Sequence, residues 1–373
     1  MTRFIFSSIL LMLGSICFAQ QEHIFQARED RYTIGTETNR TASISLGDID
    51  NDGDVDAVIA NGRHWAQQNF LYFNSDWNSF TMARPLGEEY VSSYAAELAD
   101  LDGDGNFDIL VGNDRAPNQV FLNNGFGQFR LNGTFGHRST PTRNVTPADI
   151  DGDGDIDAIV VNRGDYNEIC LNNGEGEFPR KLPFGKKDDS TIDVEVADID
   201  KDGDLDLVLA NRDGQQNLIY LLTADLDYEN EIPFGTGSDE TRSVGVADFN
   251  KDGFLDIVTA NIGEQNRIYF GDADMTYKKS ISLSASTDQS FALSIADLDK
   301  KNGPDIVIGN MEEANVYYLN DGTGMSFTKI PISKREDATY DILAVDINGD
   351  GKPDLVEANS DSENRFYLNI SGK

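Results

Sequence analysis

Carboxylates recur along this chain at a fixed spacing. A nine-residue pattern, D-x-[DN]-x-D-G-x-x-D, runs through Asp48, Asp50, Asp52, Asp54 and Asp56, and again through Asp100, Asp102, Asp104, Asn106 and Asp108. It returns at Asp149, Asp151, Asp153, Asp155 and Asp157, and at Asp198, Asp200, Asp202, Asp204 and Asp206. Further copies are Asp248, Asn250, Asp252, Phe254 and Asp256, and Asp346, Asn348, Asp350, Lys352 and Asp354. Side-chain oxygens at positions 1, 3, 5 and 9, a backbone carbonyl at position 7 and a glycine at position 6 suit a hard divalent cation. Such an ion takes six to eight oxygens at about 2.3–2.6 Å. Without it, carboxylates packed this closely repel one another. Calcium is therefore expected in six loops. A degenerate copy at Asp297 to Asp305 has Lys301 at position 5 and Asn302 where glycine belongs. There the lysine ammonium is expected to take the cation's place and leave the loop without calcium.

A second set of residues runs against the charge of the chain, which is 30 − 65 = −35 over 373 residues. Arg63, Arg115, Arg163 and Arg212 follow equivalent asparagines in four consecutive repeats, where later repeats carry Glu264, Glu312, Glu313, Asp361 and Glu363. Tyr94, Arg143, Arg242 and Tyr340 share another position, six residues before the first aspartate of a loop. The first repeat alone has an expanded segment, Gly62 to Gln68, holding His64 and Trp65. Guanidinium forks beside aromatic rings suit carboxylates and sulfates, so this set reads as a binding site for an anionic ligand. The opposing arrangement would spend the arginines on Asp114, Asp165 or Asp213 nearby. Elimination from a uronate would need a cation, a base and an acid, which His64, His137, Tyr94 or Tyr166 could supply. Hydrolysis would need paired carboxylates, for which Asp193 with Asp341 and Glu97 with Glu195 share repeat positions. No nucleophile elbow, P-loop, zinc motif or dinucleotide fingerprint is present.

What must position these residues is a repeat. The first aspartates are separated by 52, 49, 49, 50, 49 and 49 residues. Each loop follows a short alternating stretch such as Val194-Glu195-Val196-Ala197. Each precedes a β-rich run ending in asparagine: Asn61, Asn113, Asn162, Asn211, Asn261, Asn310 and Asn359. A second asparagine opens a further run, and a tight turn leads to a last one. Period-2 runs bounded by Gly, Asn and Asp are strands, and four strands in about 49 residues make one propeller blade. The last unit stops one strand short, and His23 to Gly35 supplies a candidate for it. The expected architecture is all-β: a seven-bladed β-propeller over residues 20–373, closed by an N-terminal strand.

The D-x-D-x-D-G-x-x-D loop between strands, together with phrases of the type NxxYLNNGxGxF, resembles the FG-GAP/VCBS repeats of integrin α-subunit propellers and many bacterial secreted proteins. The resemblance covers essentially the whole chain after residue 19. It implies calcium in the loops on one face, and function on the opposite face. It leaves adhesion, carbohydrate binding and polysaccharide cleavage all open.

Residues 1–19 have the arrangement of an export signal: Arg3, an apolar run from Phe4 to Ile16, and Cys17-Phe18-Ala19 before the expected cleavage. A secreted protein left with one cysteine, Cys170, can form no internal disulfide. The strong negative charge argues against nucleic acid or an anionic membrane surface as partner. An extracellular polysaccharide or cell-surface ligand is the expected partner, no membrane span is expected, and a monomer is expected.

Overall fold

The computed structural model describes residues 23–26, 32–75 and 79–372; the expected export signal lies outside them. Antiparallel strands account for almost all the regular structure, and no helix occurs among the described residues. None is therefore long and apolar enough to cross a membrane. The strands fall into seven sheets, six of four strands and one of five whose outer position is shared by two short strands, each running from an innermost to an outermost strand. In the first blade these are Thr41–Gly47, Asp56–Asn61, Gln67–Phe73 and Met82–Val91. The other innermost strands are Ser93–Ala99, Thr142–Ala148, Thr191–Ala197, Thr241–Ala247, Ser290–Ala296 and Ala338–Val345. These seven line a central channel.

Closure is as the repeat arithmetic required. Phe25–Gln26 pairs with the third strand of the last blade at Asn369 and Leu368, and Thr33–Ile34 pairs further along it at Arg365 and Asn364. The N-terminal residues thus supply the fourth strand that the C-terminus lacks, which removes the open edge.

Packing lies between blades. The second strand of each blade is buried along its whole length, because a neighbouring sheet covers each of its faces. Its sequence accordingly reads as a continuous apolar run (Asp108–Asn113 is DILVGN) rather than an alternation. Between the first and second blades, for example, Val58, Ala60, Leu71 and Phe73 pack on Ala96, Ile109, Val111 and Phe121. Cys170 is wholly buried in the next such core, and burial pushes its thiol up to about 12.

A side-chain hydrogen-bond belt joins the blades. Each innermost strand has a buried Thr or Ser at or next to its start, each second strand a buried Asn at or next to its end, and another Asn stands at or near the start of each third strand. The hydroxyl of Thr41 donates to Asn61 Oδ1 (3.0 Å), and the Asn61 backbone N–H donates to Asn69 Oδ1 (2.8 Å). Asn69 Nδ2 then donates to Ser93 Oγ of the second blade (2.8 Å), and the sequence of bonds repeats. The Asn-to-Asn bond is present in all seven blades. The belt returns to its start where Asn364 Nδ2 donates to Thr41 Oγ1 (3.2 Å). Two links are open, at the buried Asn118 Nδ2 and Asn211 Oδ1.

Immediately after the belt residue, every innermost strand carries a β-bulge. The register jumps from Thr41↔Asn61 to Ser43↔Ala60, and does the same at each equivalent position. The skipped residues are Ala42, Tyr94, Arg143, Ile192, Arg242, Phe291 and Tyr340. A bulge bends its strand and re-aims one side chain, and here it turns one residue per blade toward the mouth of the channel.

Because leaving a buried polar group unpaired costs about 1–3 kcal/mol, Asn266→Ala should strip partners from both Ser290 Oγ and the Asn261 N–H. We expect it to lower the melting temperature by several degrees. Asn118→Ala, whose Nδ2 already lacks a partner, should cost clearly less. Thermal unfolding of the two variants side by side decides it.

Candidate functional site

The acidic loops join the innermost to the second strand of each blade, so all seven open on one face. Position 6 adopts φ between 83° and 99° in the six intact loops, a conformation glycine takes without strain. Asn302 takes that position at 47° in the degenerate copy, as Asn tolerates the left-handed region. Position 9 clamps each loop shut. In the first, Asp56 Oδ2 accepts the Ile49 N–H (3.1 Å) and Oδ1 accepts the Asn74 N–H (2.8 Å), and the other six blades repeat both bonds. At position 1, Asp48 accepts the N–H groups of Asp52 and Gly53.

This arrangement fits a cation. In the first four loops the carboxylates at positions 1, 3 and 9 converge, each offering an oxygen within 4.8 Å of the others. Asp50, Asp100, Asp149 and Asp198 each bury one oxygen that has no hydrogen-bond partner. Burial, and then repulsion from the neighbouring aspartates, raises the pKa of Asp50, Asp102, Asp151 and Asp200. In the fifth and seventh loops Asn250 and Asn348 bring an amide oxygen to position 3. Asp297, Asp299 and Asp305 converge like the carboxylates of the first four loops. Lys301 Nζ approaches only Asp299, at 3.4 Å, with its side chain 70% exposed. The degenerate copy thus keeps the three-carboxylate geometry of the first four loops, with its lysine at the edge of the cluster beside Asp299. A bound divalent ion would neutralise each cluster and tie the inner strands to the second strands.

At the other end of the channel the charge reverses. A cavity of about 150 Å³ is lined by Arg63, His64, Tyr94, Arg143, Arg163, Ile192, Arg212, Arg242, Phe291 and Tyr340. Arg63 lies over the Tyr340 ring at 3.9 Å, Arg143 over Tyr94 at 4.3 Å and Arg242 over Phe291 at 5.4 Å. Three of the five arginines are held by acids. Arg143 pairs with Asp114 at 3.0 Å. Arg163 and Arg212 converge on Asp213 at 2.7 and 3.3 Å, with Glu240 3.9 Å from Arg212. Among the described residues no carboxylate lies within ion-pair distance of Arg63 or Arg242. Burial holds the Arg242 guanidinium down to about 10. Tyr94 Oη and His64 Nδ1 are hydrogen-bonded at 3.0 Å. Burial, then the Arg63 and Arg143 charges, lowers the His64 pKa, which keeps the imidazole neutral at neutral pH.

Below the mouth the channel, about 420 Å³, is lined by Glu97, Asp193, Glu195 and Asp341. Glu97 accepts the hydroxyls of Ser43 and Ser45, and Asp341 the N–H groups of Ile44 and Ile342. Asp193 accepts from Ser243, Val194 and Val244 as well as Asn144. Burial pushes Glu97 to about 7, Asp341 to about 6 and Glu195 to about 8, with neighbouring carboxylates adding to it.

Comparison with protein families matches the FG-GAP-like repeat over residues 100–160, 149–209, 198–259, 248–306 and 297–357. The chain belongs to the FG-GAP-like repeat family. Among solved structures it resembles BBS1N in complex with ARL6DN, in a crystal soaked with mercury. There the TM-score is 0.62 at 10% identity, covering 93% of this chain and 97% of that one. Raptor of Chaetomium thermophilum is similar over 93% of this chain and 29% of its own, with TM-score 0.60 and 11% identity. These likenesses establish the fold alone. Comparison with curated proteins gives no match.

Within this FG-GAP-like propeller the site residues read from the sequence divide by location. Arg63, His64, Tyr94, Arg143, Arg163, Arg212, Arg242 and Tyr340 come together at the mouth. Four others lie elsewhere. Arg115 is exposed in a left-handed turn. His137 is drawn to the buried Glu168, which also accepts its backbone N–H. Tyr166 is 47% and Trp65 65% exposed, the latter with Arg40 over its ring. Phe291 and Ile192 were not singled out, yet both occupy the bulge position of Tyr94 and Arg242, so aligning the repeats by that position would have found them.

Two outcomes follow. Removing calcium should lower the melting temperature by roughly 10 °C or more, since an ion bound only by the folded chain stabilises it by mass action. Calorimetry with and without chelator measures this. For the channel, a carboxyl raised from 4.5 to about 8 binds its proton more tightly in the folded state. Its contribution is full below about pH 4.5 and is lost as pH climbs through 8. Glu195→Gln should therefore match the parent in melting temperature near pH 5 and exceed it by a few degrees near pH 8.5.

Proposed function

We propose that this FG-GAP-like propeller is a secreted, calcium-stapled binding protein whose axial mouth takes an anionic ligand, most simply a uronic-acid or sulfated polysaccharide. The observation that carries the reading is the pair of guanidiniums on Arg63 and Arg242. Both face the mouth cavity without a carboxylate partner in a chain of net charge −35. Burial disfavours the Arg242 charge, which among carboxylates only the more distant Asp193 offsets, and an arriving carboxylate or sulfate would supply a close counter-charge in the geometry that arginine forks prefer. The arrangement of residues 1–19 supports export, and an exported protein would meet such polymers.

A second reading has its own support. The His64–Tyr94 hydrogen bond beside Arg63 and Arg143 puts a neutral imidazole, a phenol and two cations at one point. That set suits a polysaccharide lyase: arginine neutralises the uronate carboxylate, and the His64–Tyr94 pair takes the ring proton and returns one to the leaving oxygen. His137 and Tyr166 have no part in this version.

Arg63→Ala and Arg242→Ala should each weaken binding to polygalacturonate or a sulfated glycan at least tenfold. Binding by the parent should fall as salt rises, while Arg115→Ala, away from the mouth, leaves it unchanged. Titration calorimetry at two salt concentrations reads this out. Unsaturated uronate products that vanish in His64→Ala would move the reading to the lyase. Equal affinity of parent and Arg63→Ala/Arg242→Ala double variant for every anionic glycan would overturn it.

A further inference from the structure

The mouth cavity and the channel share a collar. Tyr94, Arg143, Ile192, Arg242, Phe291 and Tyr340 line both, and each is the bulge residue of its blade. Above the collar lie the guanidiniums of Arg63, Arg163 and Arg212; below it lie Glu97, Asp193, Glu195 and Asp341. The sign of the charge therefore reverses across one ring of side chains.

Three constraints follow for anything that binds there. Every one of the seven blades contributes a residue to the mouth lining, from Arg63 in the first to Tyr340 in the seventh, so the cavity is walled on all sides rather than being a groove. Its volume of about 150 Å³ lies under the range of roughly 300–1,000 Å³ typical of sites that enclose a drug-sized ligand, so only one charged group and its nearest atoms fit. Deeper passage is disfavoured for an anion. Past the Arg143 and Arg242 of the collar the ionisable groups of the channel are Glu97, Asp193, Glu195 and Asp341, so an anion moving inward leaves the arginines for a ring of carboxyl groups.

We infer that the mouth is an end-on site, seating the single terminal carboxylate or sulfate of an anionic chain between Arg63 and Arg242, with the rest of the chain directed out to solvent. This rests on the anionic-ligand reading above and narrows it: the protein counts chain ends, not internal segments.

Titration calorimetry with galacturonate oligomers from about two to about ten residues, and with chondroitin sulfate oligomers of matching lengths, tests it; the preferred series identifies the terminal group. The expected result is one protein per chain, with an affinity per chain that stays within about twofold across lengths, and competition by inorganic sulfate. Arg63→Gln and Arg242→Gln should each weaken every length about tenfold or more. Should the Arg242 variant fail to fold, the Arg63 variant, whose side chain rests on the surface of Tyr340, carries the test. Affinity that tightens steadily with length, with several proteins on one long chain, would overturn end-on seating while leaving anion binding intact. No binding of any oligomer or of sulfate at low salt would overturn both.

Discussion

The belt of Asn, Thr and Ser side chains is the constraint from which the rest of this molecule follows. The strand ladders stop at the edge of each blade, and only isolated backbone hydrogen bonds cross to a neighbour, such as Gly127 N–H to Ile49 O at 3.1 Å and Gly176 N–H to Leu101 O at 2.9 Å, so apolar packing would do little to set the height of one blade against the next. The belt supplies direction. Asn69 reaching Ser93, Asn217 reaching Thr241 and Asn364 reaching Thr41 are among the six such bonds that fix all innermost strands but the third against the preceding blade at one height. The clamp of the ninth loop residue fixes the same strand's other end, since Asp56 holds the Ile49 N–H just past it. Pinned at both ends, an innermost strand has its bulge and its loop placed together.

Those two anchors divide the labour between the faces. On the loop face, carboxylates are concentrated until they need a cation, and orphaned oxygens such as Asp100 Oδ1 show where one would be received. Among the described residues the one cysteine is buried in a core and unpaired, so no cross-link is available there, and a bound ion would take that role. On the mouth face the negative charge of the chain is locally overcome. Asp114 and Asp213 satisfy three arginines there and leave two unsatisfied, which is a partial cancellation. Full cancellation would have produced a salt-bridged rim, and none at all would have left a repulsive cluster too costly to pack.

Much of this was legible in the sequence, because the features that make the fold are periodic. The loop spacing, the strand runs and the missing last strand all follow from a period near 49, and the donor of that strand followed from the other end of the chain. The asparagines were visible as punctuation but not as a belt, since their partners lie in the next blade at a height that only the folded ring defines. The mouth was legible in part for a related reason. Repeat position fixes where a Cα sits, and long side chains then go to whatever partner lies in reach. Arg115 and Arg163 lie one place apart in the same loop of successive repeats, yet Asp213 of the following blade draws in Arg163 while Arg115 turns out in a left-handed turn. His137 is likewise captured by Glu168, whose burial no spacing revealed.

The bulge explains how one scaffold can carry a specific mouth at all. Within this chain the residue before the bulge is always Thr or Ser, and an Asn always stands at or next to the end of the second strand, because the belt is built from these side chains. The bulged residue itself is Ala, Tyr, Arg, Ile, Arg, Phe and Tyr in the seven blades. It pairs with no residue opposite, so its side chain is free of the ladder that fixes its neighbours. Chemistry at the mouth can thus change residue by residue without disturbing the bonds that hold the ring. The arginines and aromatics gathered there are accordingly not explained by what the fold needs. On the proposed reading they answer to the anionic ligand.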